Sequence, residues 1–309
     1  MKSQLFKTKI VTVAFAFTIS TVSNFSLLAQ FGGGQGTQAD PYRIYTKQHL
    51  EELADSVAIS PSNDFTTCYN WSRDKYFKVM NDITSPLTQA IGLMEPSASF
   101  QGHFDGQNNT ITVNINGTGN NLPAGLFCSI TIGSIKNVIV SGSINLNTTV
   151  ARVGGIAGAV IFSIFSENIK ISNCVNNVDI IVLNSIYNEC GGILGTSQRD
   201  ANAMLDTIKN EIIIENCTNI GSIKGLSAGG IMCSCSKVKI NNCINDGLIY
   251  GDILTGGIAG NIGNRTTISG CFNGGVVSGN GVVGCIVGTK EAGATVINNH
   301  YDMQMCGEE

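Results

Sequence analysis

The chain has 309 residues, with 18 Lys and Arg against 22 Asp and Glu and only 13% charged residues. A 43% hydrophobic content excludes a disordered chain, and the acidic balance argues against nucleic acid or anionic lipid as partners. Gly 37 against Pro 5, among many Ile, Val, Asn and Thr, favours strands joined by tight turns over helices.

Residues 1–29 read as a secretory signal peptide. Lys2, Lys7 and Lys9 form a basic start, and Ile10 to Ile19 is an apolar core too short to span a bilayer. Ala29 is a small residue where a signal peptidase would cut, so cleavage is expected between Ala29 and Gln30. The mature chain then loses three lysines and no acids, for a formal charge of 15 − 22 = −7. No cysteine follows the apolar run, so lipoprotein-type acylation is not supported. No later segment approaches membrane-spanning length. A secreted or cell-surface protein follows.

Residues 30–123 are expected to hold the N-terminal cap and first coils, and 124–309 the repeat coils of the same domain. The cluster Gly32-Gly33-Gly34-Gln35-Gly36 lacks a preceding strand and a Gly-Lys-Ser/Thr ending, so it is no phosphate loop. Thr46 suits the N-cap of a short helix over Lys47 to Val57, with Leu50, Leu53 and Val57 on one face. Such a helix would cover the open end of the first coil. Tyr76 to Ile83 and Thr110 to Ile115 are predicted strands.

Beyond them two blocks recur. Gly154-Gly155-Ile156, Gly191-Gly192-Ile193, Gly229-Gly230-Ile231 and Gly256-Gly257-Ile258 are followed by a worn Gly284-Cys285-Ile286, at intervals of 37, 38, 27 and 28 residues. Their regular return marks them as turns. The second block is Ile171-x-Asn-Cys174-x-Asn176, repeated at Ile214/Cys217/Asn219, Ile240/Cys243/Asn245 and, with Gly before the Cys, at Ile268/Cys271/Asn273. Gly221, Gly247 and Gly275 lie four residues past their Cys, Val178 being the exception, and Ile180, Ile223, Ile249 and Val277 lie two further on.

No unit can bury its own apolar face, so the units must stack. The predicted fold is all-β: a single-stranded, right-handed parallel β-helix, or β-solenoid, with a short N-terminal capping helix. Each Ile column becomes an internal ladder. Cys174, Cys217, Cys243 and Cys271 read as small buried residues in a ladder rather than as disulfides, because stacked side chains point the same way. Asn176, Asn219, Asn245 and Asn273 read as a turn ladder that tolerates left-handed backbone, with the glycines after them as a second permissive bend. Cys68, Cys190, Cys285 and Cys306 cannot be paired from sequence, and Cys233 and Cys235 are too close to bridge each other easily.

The Gly125-Leu126-Phe127-Cys128 run and Gly-Gly-Ile-Ala-Gly at 154–158 and 256–260 resemble the GLUG-repeat proteins, surface or secreted proteins of Bacteroidales-type bacteria. The resemblance extends to Gly36-Thr37-x-x-Asp40-Pro41-Tyr42-x-Ile44 and Phe100-x-Gly102-x-Phe104-Asp105-Gly106, and covers about residues 32 to 306. It implies a pectate-lyase-like β-helix. It does not imply an activity, since that architecture hosts enzymes and binders alike.

Catalytic machinery is not evident. Polysaccharide lyases and hydrolases need clustered carboxylates, with or without a metal, and a basic partner. Asp179, Glu215, Asp246 and Asp252 fall at different repeat columns. His49, His103 and His300 are far apart, and no Cys/His spacing proposes a zinc site; His103 reads as a turn or strand-face residue. Neither cofactor nor metal is expected. The binding surface is predicted instead on the extra residues of the two long units, which cannot lie in a plain coil. These are Glu167 in the first, and Arg199, Asp200, Asn202, Asp206 and Lys209 within Thr196 to Asn210 in the second. The expected protein is a monomer that binds or adheres to an extracellular glycan or a host or matrix surface protein. A carbohydrate-active enzyme and a purely structural spacer are the alternatives.

Overall fold

In a computed structural model of the chain, the structure describes residues 31–59, 69–119, 122–161, 168–198 and 211–306. They are mostly β and form three sheets of nine, fifteen and six strands, in which the strand pairs are parallel. The chain visits the sheets in the same order in each repeat, consistent with a parallel β-helix. Val175–Leu183 of the second sheet, for example, follows Ile169–Ser172 of the first.

The register matches the sequence columns residue for residue. Ile171 pairs with Ile214, Ile214 with Ile240, Ile240 with Ile268, and Ile268 with Val296. The four isoleucines are fully buried, as are Ile180, Ile223, Ile249 and Val277 in a second ladder. Alternation puts Glu215 on the outer face, where it meets Lys170 at 2.7 Å. Apolar ladders of this kind supply the hydrophobic drive of the domain.

The inner Asn residues do something other than turn the chain. Asn176, Asn219, Asn245 and Asn273 are buried, and their amides form a continuous line: Asn176 donates to Asn219, Asn219 to Asn245 and Asn245 to Asn273, each at 2.7 Å. The left-handed backbone belongs to a different column. Asn137, Asn173, Asn216, Asn242 and Asn298 have φ of 52–53° and Gly270 has φ of 64°. In the Ile-x-Asn-Cys units these are the residues just before Cys. There a side chain must tolerate αL, which Asn does better than most.

The glycine columns likewise reflect space rather than dihedral freedom. Gly221, Gly247 and Gly275 do not have positive φ; a Cβ on each would collide with the backbone of the preceding coil. A Cβ on Gly155, Gly192, Gly230 or Gly257, the second residue of each Gly-Gly-Ile corner, would strike the amide of Asn176, Asn219, Asn245 or Asn273 respectively. The two sequence blocks are thus the two sides of one interior contact.

The short N-terminal helix expected from the sequence is present. Lys47–Ala58 is a helix, Thr46 accepts a hydrogen bond from the His49 backbone N–H at 3.3 Å, and Leu50, Leu53 and Val57 are fully buried. Phe31, Tyr42, Trp71 and Phe77 cluster in the adjoining first coils. Tyr76 to Ile83 is not one strand: Tyr76–Val79 joins the first sheet and Ile83–Leu87 the second, with a corner at residues 80–82.

Cys174, Cys217, Cys243 and Cys271 are buried free thiols whose Sγ atoms lie 3.3–3.5 Å from the carbonyls two residues back. Cys190, Cys233 and Cys235 are also buried and free, while Cys285 and Cys306 form a disulfide across 21 residues with a Cα separation of 5.4 Å. Burial pushes the Cys128 and Cys235 thiols up to about 12, so they are unreactive at neutral pH. Cys68 lies outside the described residues.

Two comparisons test this packing by chemical denaturation. Ile214→Ala or Ile240→Ala is expected to cost about 2 to 5 kcal/mol, whereas Glu215→Ala, losing one surface pair, is expected to cost less than about 1 kcal/mol. Asn219→Ala orphans the amides above and below it, at about 1 to 3 kcal/mol each. Wild-type stability of Asn219→Ala would refute the amide line.

Candidate functional site

All six residues predicted for the binding surface, Glu167, Arg199, Asp200, Asn202, Asp206 and Lys209, lie outside the described residues. The chain ends that flank them are placed. Ile161 pairs with Gln198 at the end of the third sheet, and Ile169 pairs with Ile212 on re-entry to the first. The two long units therefore depart and return at matching points of neighbouring coils. Thr196, Ser197 and Gln198 are not part of an insertion but belong to the strand Leu194–Gln198, in register with Ala159, Val160 and Ile161.

Beside that departure point the second and third sheets meet at the Gly-Gly-Ile corner. The approach is close. A Cβ on Gly158 would strike the carbonyls of Arg152 and Cys128, and one on Gly195 the backbone of Val153. Glycine in these columns lets the third sheet fold tightly against the strand Val150–Gly154. A cleft of about 260 Å³ results, lined from the second sheet by Arg152, Tyr187 and Glu189 and from the third by Thr196, Ser197, Ser234 and Asn261, and also by Ser236 and Glu291.

Its charges are arranged in register. Arg152 pairs with Glu189 across adjacent coils, and their side chains approach to 3.6 Å while only 18% and 10% exposed. The Arg152 guanidinium carbon lies 5.9 Å from the centre of the Tyr187 ring, which is half exposed at the mouth. Burial, and then the neighbouring Glu189 carboxylate, push the Tyr187 hydroxyl up to about 12, so at neutral pH it is a hydrogen-bond donor and not a base. The third-sheet wall adds hydroxyls and an amide: Thr196, Ser234 and Asn261 share one column, and Asn261 accepts a hydrogen bond at 2.8 Å from Thr289, the next residue of that column. An aromatic ring at the mouth of a cleft walled by neutral and charged hydrogen-bonding groups is suited to a polyhydroxylated ligand.

None of the acids named from the sequence lines this cleft. Glu215 is on the first sheet; Asp179 accepts from the Ser222 backbone at 3.0 Å, and Asp252 accepts from Tyr250 and Asn280 at 3.1 and 2.9 Å. His103 is a strand-face residue of His103–Asp105. Among the described residues no three His, Cys, Asp or Glu side chains are grouped to hold a metal. The pair that sequence reasoning missed, Arg152 and Glu189, carried a readable signal: each stands two residues before its Gly-Gly, so the coil repeat places them side by side.

A scan against protein-family models and a search of curated proteins find no match. Among solved structures, the crystal structure of a candidate immunoglobulin A1 protease from Bacteroides ovatus is similar, with 18% sequence identity, a TM-score of 0.51, and coverage of 88% of this chain and 87% of that one. At that identity the likeness concerns the fold alone.

The Tyr187 environment is open to a spectroscopic test. As pH rises, the absorbance of tyrosinate is expected to show Tyr187 ionising near 12, above the ordinary value of about 10. Because the folded value is raised, the contribution of neutral Tyr187 to stability is fully present below about pH 10 and is lost as pH rises through 12. Glu189→Gln removes the repelling carboxylate and is expected to bring the ionisation down; an unshifted titration would contradict the assigned contact.

Proposed function

We propose that this chain is a secreted or cell-surface binding protein of the GLUG-repeat kind, built as a closed right-handed β-helix, that recognises a glycan or a glycan-bearing host or matrix surface without chemically altering it. The supporting observation is the corner cleft: a half-exposed tyrosine at its mouth, a shielded Arg152–Glu189 pair in its wall and a column of hydroxyl and amide groups opposite. Sugar rings present apolar C–H faces and many hydroxyls, and a ring plus fixed donors and acceptors meets both. Export rests on the basic, apolar and Ala29 pattern of residues 1–29.

A carbohydrate-active enzyme is the second reading, favoured by one fact: two carboxylates, Glu189 and Glu291, line the same cleft. Glycoside hydrolysis needs one carboxyl as acid and another as base or nucleophile. Glu189 is held by Arg152, and Glu291 accepts from the Asn264 backbone N–H at 3.0 Å, which favours binding over turnover.

A glycan array probed with the exported protein tests both. One class of glycan is expected to be retained intact, and Tyr187→Ala is expected to weaken its binding about tenfold or more with the β-type circular dichroism unchanged. Unchanged affinity would remove the cleft from consideration, and shortened glycans would favour the enzyme. N-terminal sequencing of the extracellular protein is expected to begin at Gln30; a retained Met1 would overturn the export proposal.

A further inference from the structure

The outer face of the first sheet, close to the capped end, carries a second cleft of about 450 Å³ that has no part in the corner site. Two outward columns make its floor. Tyr76, His103 and Ser134 are in register in one, and Lys78, Asp105 and Lys136 in the other. Gln38 and Pro41, from the segment before the first strand, wall one side.

The floor is ordered by its own contacts. The Tyr76 and His103 rings stack with centroids 4.4 Å apart, and His103 Nδ1 lies 2.9 Å from the Ser134 hydroxyl. Asp105 is the one acid lining the cleft, and its oxygens are already engaged: by the Gln107 backbone N–H at 3.0 Å, the Asn137 amide at 3.0 Å and Lys136 at 3.4 Å. Partial burial pushes this carboxyl up, but those hydrogen bonds and the Lys136 charge outweigh it and hold it below the ordinary carboxylate range. Asp105 is therefore ionised at neutral pH and occupied. Lys78, next to it in the column, makes no salt bridge among the described residues, and its side chain is half-buried in the cleft.

Two cations against one internally satisfied anion leave a net positive, donor-rich cleft on a chain whose net charge is −4. Such a local excess on an acidic protein selects for an anion, and repulsion by the rest of the surface disfavours large polyanions. The aromatic stack, the hydroxyls of Tyr76 and Ser134, and the Gln38 amide suit a hydroxylated ring as the carrier.

We propose that this cleft is a binding site for a sugar bearing a single oxyanion, a carboxylate or a sulfate ester, with Lys78 as the principal charge partner and the Tyr76–His103 stack as the platform. Lys136 is the second cation, its charge partly neutralised by Asp105 at 3.4 Å. The site is independent of the corner cleft, so either can fail without the other.

Titration of the protein with D-glucuronate, glucose 6-sulfate and glucose, followed through the His103 ring proton resonances, tests the assignment. At least one charged sugar is expected to bind and shift these resonances while glucose leaves them in place; the tighter of the two identifies the oxyanion. Lys78→Gln is expected to raise the apparent Kd about tenfold. Asp105→Asn is expected to lower it about threefold by removing the competing charge, a gain that mere structural damage would not produce. Tyr187→Ala, in the other cleft, is expected to leave it unchanged. Equal response to glucose, no response of the wild-type protein to either charged sugar, or an unaltered Kd in Lys78→Gln would overturn the proposal.

Discussion

The contact on which the repeat architecture depends is the buried line of asparagine amides beneath the Gly-Gly-Ile corners. Each amide must reach the next at 2.7 Å, so successive coils are held at one spacing and in one register. Each corner must lack a Cβ, because the space it would fill is occupied by that amide. Buried amides left without partners are costly, so a slip by one residue would lose the line and turn every isoleucine outward at once. Neither block of the repeat makes sense without the other, which is why they recur together in each unit from Gly154 to Asn273.

Much of this was legible in the sequence because stacking converts spacing into contact. Ile171, Ile214, Ile240 and Ile268 share one offset from their cysteines and pair directly in the structure. Thr46 and the helix after it were equally readable, since an N-cap and an apolar face are local features. The backbone state of each column was not. Both Asn columns of Ile-x-Asn-Cys-x-Asn are asparagine except for Gly270, and the path of the chain decides which one turns in αL and which one points inward. The glycines were misread for a related reason: a residue chosen for φ and a residue chosen for lack of a Cβ are identical on paper. The Cys285–Cys306 bridge follows no repeat offset, and its closeness depends on how the last coil folds back.

The clefts were harder to see for a physical reason. An inward ladder is recognised because its members are alike, whereas a cleft is made of unlike residues from two or three faces. Arg152 and Glu189 shared a column offset and could have been paired on that ground. Tyr187 and Ser234 could not, because they meet only where glycines let the third sheet close on the second. In the first-sheet cleft the register alone brings Asp105 between Lys78 and Lys136. What no spacing discloses is that Asp105 is already satisfied by Gln107 and Asn137.

The interior therefore leaves little freedom for function. Its columns are committed to isoleucine, cysteine, asparagine and glycine, and a charged substitution there would break several coils' worth of contacts. Outward positions carry no such demand, so neighbouring coils can differ there without disturbing the stack. Variation on the outer face is then the natural place for recognition, and its sign differs between the two clefts. Where the second and third sheets meet, Arg152 and Glu189 cancel in a shielded pair, and hydroxyls together with Glu291 define the surface. On the first sheet near the N-terminal helix, cations outnumber the acid, and the same architecture presents charge instead. A fold whose backbone repeats so strictly can thus carry chemically distinct surfaces, because selection on the inside and on the outside acts on alternate residues of the same strands.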